Sequence, residues 1–68
     1  MDSQFTHSEK ATSAEREARM RRGFYKKRVE ANQMTQAAAD REIALMEEIA
    51  ADYRAADNLF TELATPTT

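Results

Sequence analysis

Along the second half of the chain, apolar side chains recur at alternating spacings of three and four. Met46, Ile49, Tyr53, Ala56, Phe60 and Leu63 take the a and d positions of nearly three heptads, with Ala39 and Ile43 extending the stripe backwards and Ala50 flanking it. This pattern predicts a helix over 36–64. Thr65 and Pro66 stop it, because the residue before a proline is pushed out of the helical region. The first half is less regular. Ala14, Ala18, Tyr25 and Val29 share one stripe, while Met20, Phe24 and Ala31 share another about a third of a turn away. Gly23 lies where the pattern shifts, and a glycine inside a helix costs about 1 kcal/mol relative to alanine. The expectation is a first arm broken near Gly23, with helices over 13–22 and 24–32.

The local capping chemistry sets the other boundaries. Thr12 and Glu15 have the spacing of a reciprocal capping box, which predicts a helix start at Thr12. Residues 1–11 lack sustained periodicity and read as a flexible N-terminal arm, in which Phe5 and His7 are the distinctive side chains. Asn32 tolerates a left-handed C-cap, Met34 can anchor the turn, and Thr35 is a fair N-cap for the second helix. The fold expected is all-α: a helical hairpin over 12–64 followed by a tail over 65–68.

Size then raises the question of what stabilises it. A chain of 68 residues is near the limit at which one core offsets the conformational entropy of folding. It has no cysteine for a disulfide, and its single histidine cannot make a structural zinc site. The second helix, roughly 40 Å long, outruns a first helix covering roughly 30 Å. These points together predict a dimer or higher oligomer, with Met46, Ile49, Tyr53, Ala56, Phe60 and Leu63 as the self-association seam. One glycine and one proline in the whole chain agree with an all-helical reading. No apolar run approaches the roughly 18 residues of a membrane span, and the N-terminus lacks the pattern of a signal peptide, so a cytoplasmic location is expected.

Charge is segregated. Between Arg16 and Arg28 seven bases face one acid, and between Asp40 and Glu62 seven acids face two bases, although the net charge is only −2. Such a division favours an antiparallel hairpin or a head-to-tail dimer over parallel association of like helices. The run RMRRGFYKKR admits two readings. In one, Arg19, Arg22, Lys26 and Lys27 form a cationic strip beside Phe24 and Tyr25 that binds an acidic partner, a nucleic acid or a nucleotide. In the other, the aromatics are core and the bases pair with the acidic helix; a pI near 5.3 weighs toward this one.

Catalysis has little to work with. Glu48 and Asp52 share a helix face at i, i+4, but no histidine accompanies them and a solvated acidic face is the expectation. There is no cysteine nucleophile, no plausible serine–histidine pairing and no glycine-rich phosphate loop. No enzyme activity, metal or cofactor is expected.

The stretch RMRRGFYKKRVEANQMTQAAADREIALMEEIAADYR, from Arg19 to Arg54, resembles a group of short proteins encoded by phages and prophages of proteobacteria. Tyr25, Val29, Met34, Thr35, Ala39, Glu42, Met46 and Ile49 are the skeleton of the resemblance, which covers about half the chain. Lys26, Asn32 and Ala38 depart from it, standing where proline, glycine and an acid are usual. The resemblance implies an accessory phage product that acts by binding, as an inhibitor of a host defence protein or of its nucleic-acid complex. A looser likeness links Tyr25, Lys26 and the segment from Glu42 to Ile49 to phage helical hairpins that sequester cyclic oligonucleotides. The connecting segment is longer here. A structural helix of a virion or packaging assembly is the remaining class.

Overall fold

A computed structural model describes the backbone of residues 4–64 and the side chains of residues 4–59. Two helices, α1 (His7–Glu30) and α2 (Gln36–Ala64), fold back on each other as an antiparallel hairpin. The helical hairpin is as expected, but its first arm differs in two ways.

First, α1 begins well before Ser13. The spacing T-x-x-E occurs twice, at Thr6/Glu9 and at Thr12/Glu15, and the earlier pair is the cap. The Glu9 backbone N–H donates to the Thr6 hydroxyl (3.0 Å), and the Thr6 N–H donates to the Glu9 carboxylate (3.2 Å). Starting there adds turns that bury Ala11 completely against α2, and it frees Thr12 and Glu15 to bond across the hairpin. The stretch from His7 onward is therefore helix and not a flexible arm.

Second, α1 runs through Gly23 without a break. Gly23 is exposed, and its cost of about 1 kcal/mol is offset by the packing of Ala18, Tyr25 and Val29 along the seam on either side of it.

The connection follows from local chemistry. Asn32 adopts φ 59°, and the Asn32 and Gln33 N–H groups donate back to the carbonyls of Val29 (3.0 Å) and Arg28 (2.9 Å). This is a Schellman stop, with asparagine standing in the left-handed position that glycine usually takes. Thr35 then caps α2, accepting from the Ala38 N–H at 3.1 Å. Ala38 has no carboxylate to return the bond, so this cap is one-sided.

Three ion pairs cross the hairpin and bracket its register: Arg22–Glu47 and Glu15–Arg54 on one edge and Arg21–Glu42 on the other, with Ala18 beside Ala50 between them. With 24 and 29 residues the helices are roughly 36 and 44 Å long. The second helix still outruns its partner, by roughly 8 Å, although the capping at Thr6 carries α1 further along it than a start at Thr12 would.

The seam is lined by small residues. Ala11, Ala14 and Ala18 of α1 and Ala39 and Ala50 of α2 are the buried residues, and no large side chain among the described residues is fully buried. Tyr25, Val29, Ile43 and Met46 flank them half-buried. The outline, 56 × 23 × 17 Å, is that of a single layer of two helices. Domains ordinarily bury their apolar faces between two packed layers, and here one layer is present.

Candidate interaction surface

The two edges of the hairpin differ in chemistry. On the polar edge, Arg54 donates to both oxygens of Glu15 (2.8 and 3.1 Å), to the Thr12 hydroxyl (3.4 Å) and to Asp57 (3.2 Å), and Arg22 pairs with Glu47. The hydrogen bond from Arg54 holds the Glu15 carboxyl below the ordinary glutamate pKa, and Arg54 is raised by the same partner. A shallow polar groove lined by Arg19, Arg22, Glu47 and Arg54 runs along this side.

The opposite edge is apolar. Met20 and Phe24, one turn apart on α1, are 62% and 58% exposed, and Leu45, Ile49 and Tyr53 form an exposed row on α2 at spacings of four. The ion pair between Arg21 and Glu42 (3.8 Å) puts both rows on one side of the seam. Arg21 sits three residues before Phe24, and Glu42 three and seven before Leu45 and Ile49, so each member shares a stripe with its apolar neighbours. Arg21 also holds Glu17 at 3.1 Å, which raises its pKa. Toward the end of the hairpin this face opens into a groove of about 750 Å³, whose lining includes Phe5, Ser13, Met46, Ile49 and Tyr53, with the Lys10 ammonium 5.9 Å from the Tyr53 ring centre.

The residues expected to form a self-association seam divide. Met46 and Ala56 are half-buried, whereas Ile49 and Tyr53 are exposed on the apolar edge. Phe60 and Leu63 lie within α2, but their side chains fall outside the described residues. The hairpin seam follows the expected stripe through Ala39, Ile43 and Met46 and then takes Ala50, which flanks that stripe, in place of Ile49.

The expected cationic strip is divided as well. Arg22 is engaged by Glu47 and Arg19 stands near Glu15. Tyr25 is half-buried, its ring 5.9 Å from that of Phe24. Among the described residues Arg16, Arg19, Lys26, Lys27 and Arg41 are exposed and make no ion pair within the chain. Arg28 lies over Phe24 at 5.6 Å, with its Nε buried and unpaired.

Sequence reasoning found the Met20 and Phe24 stripe but did not join it to Leu45 as an exposed apolar edge. A signal existed: Leu45 stands off the heptad seam yet one turn from Ile49, and Met20 and Phe24 form a matching pair. It also missed the role of Arg54, one of two bases in an acidic stretch, which reaches across to α1.

Among the described residues no cluster of three metal-ligating side chains converges, and no helix is long and apolar enough to cross a membrane. No protein-family model, curated protein or solved structure matches this chain.

Proposed function

We propose that this chain is a non-catalytic binding protein that works as a self-associated helical hairpin. One observation carries the reading: the hairpin's own core is alanine, while Met20, Phe24, Leu45, Ile49 and Tyr53 remain exposed along one edge. Burying a side chain of that size contributes roughly 1.5–3 kcal/mol, and this chain alone leaves that contribution unused. Sedimentation of the full chain at micromolar to hundred-micromolar concentration tests it. The expected mass is a multiple of 7.7 kDa. A stable species of one chain over that whole range would falsify the reading.

For the target, the resemblance of residues 19–54 to phage and prophage accessory proteins supports inhibition of a host defence protein or its nucleic-acid complex. The cations of this stretch left for such a partner are Arg16, Arg19, Lys26 and Lys27, since Arg22 serves the hairpin. A Lys26→Glu/Lys27→Glu variant is expected to keep its helicity and to lose host proteins that the unaltered chain retains on a column. Equal retention by both chains would count against the strip.

Those same unpaired cations favour a second reading, direct binding of a nucleic acid or cyclic nucleotide. It predicts binding by the purified protein alone that weakens steeply with salt. A protein inhibitor shows no such binding.

A further inference from the structure

We propose that two copies of this chain pack face to face through the Met20, Phe24, Leu45 and Ile49 edge, about a twofold axis parallel to the helices, as an antiparallel four-helix bundle. This rests on the self-association reading and deepens it by naming the face, the axis and the register.

Two hairpins stacked on equivalent faces have their twofold axis in the plane between them, either across the helices or along them. An axis across the helices lays α1 on α1, so the stretch from Arg16 to Arg28, with seven bases and one acid, faces itself. An axis along the helices lays α1 on α2 of the second copy. Basic then meets acidic, and every neighbouring pair of helices is antiparallel, as in an up-and-down bundle.

The register supplies a separate argument. Rotation about an axis along the helices leaves each residue at its own height, so levels set within one hairpin carry over to the pair. The ion pairs Arg22–Glu47 and Glu15–Arg54 on the polar edge and Arg21–Glu42 on the apolar edge bracket the register, and midway between them Met20 and Leu45 stand within about one residue of the same height, with Phe24 and Ile49 about a turn to either side. The four exposed apolar side chains of each copy therefore fall within about two turns of helix and meet those of the second copy as one cluster.

Charge agrees. Lys27, unpaired in its own chain, comes within about a turn of Glu42 of the second copy, and Arg16 within about a turn of Asp52. The polar groups that interrupt the face are already joined, Arg21 holding Glu17 and Glu42.

The chain has no cysteine, which makes disulfide mapping direct. A Phe24→Cys chain and a Leu45→Cys chain are mixed in equal amounts and mildly oxidised; each retains Met20 and Ile49. The expected product is the mixed disulfide between positions 24 and 45, in large excess over 24–24 and 45–45. In parallel, Leu45→Glu is expected to weaken association on the order of 100-fold in sedimentation, with helicity followed by circular dichroism. A dimer mass with like-to-like disulfides, or with none, overturns this arrangement and leaves self-association standing. Species larger than two chains, or undiminished association of Leu45→Glu, also overturn it. An unaltered chain sedimenting at 7.7 kDa overturns both this arrangement and the reading beneath it.

Discussion

Arg54 occupies a position from which one guanidinium ties two helices together, bonding Glu15 and Thr12 on α1 while holding Asp57 on its own helix. Because Arg54 lowers the Glu15 pKa, the folded state binds that proton less readily than the unfolded chain does. The stabilisation is therefore present above the ordinary glutamate value of about 4.3 and drains away as pH falls through the lowered one. Thermal melts of the unaltered chain and of Glu15→Gln are expected to differ at neutral pH and to converge in acid. A gap that stays constant down to pH 2 would show that the pair contributes no pH dependence. The residue is exposed and solvent-screened, so the neutral gap is expected to be only a few degrees, about 1–4 °C. None of this was legible from spacing alone. Thr12 and Glu15 read as a cap because the local signature is identical to that of Thr6 and Glu9, and only the packing of α2 distinguishes the two.

At the level of elements, Gly23 lies in an unbroken helix with open space where a Cβ would stand. Gly23→Ala is therefore expected to stabilise the chain by about 0.5–1 kcal/mol, through a less flexible unfolded state and better helix propensity. Denaturant melts check this, and a loss of stability would mean that the helix needs a hinge there. The alanine seam predicts the opposite sign for added bulk. Ala18 is 4% exposed and level with Ala50, so Ala18→Leu forces the helices apart and is expected to cost about 1–3 kcal/mol. Unchanged stability in Ala18→Leu would show that the helices are not held close. The helix limits at Asn32 and Thr35 were readable in advance, since a left-handed turn and an N-cap each demand a particular residue type. The choice of Ala50 over Ile49 for the seam was not, because heptad counting ranks bulky positions first and the close approach in this hairpin is made by alanines.

For the molecule as a whole, a single layer of two helices leaves one broad face without a partner. If folding and association are coupled, mass action makes stability depend on concentration. The thermal midpoint is expected to rise by several degrees between about 5 and 500 µM, a hundredfold span worth about 2.7 kcal/mol per two chains at full coupling. A midpoint independent of concentration would mean that the hairpin is stable on its own and that its apolar edge serves another molecule. The segregation of charge also belongs to this scale. The sequence marked one basic and one acidic stretch, and the ion pairs Arg22–Glu47, Arg21–Glu42 and Arg54–Glu15 show the two lying side by side.

Helical character, two arms, the turn between them and their antiparallel sense were all determined by the sequence itself. Each depends on short-range propensities, capping chemistry or net local charge, which act over a few residues and survive without knowledge of the fold. The choice between two equal capping signals, the continuity through Gly23 and the division of apolar residues into seam and open edge were decided only in the tertiary structure. Each turns on a difference of about a kilocalorie or on a rotation of a fraction of a turn. Packing one helix against the other is what breaks such ties.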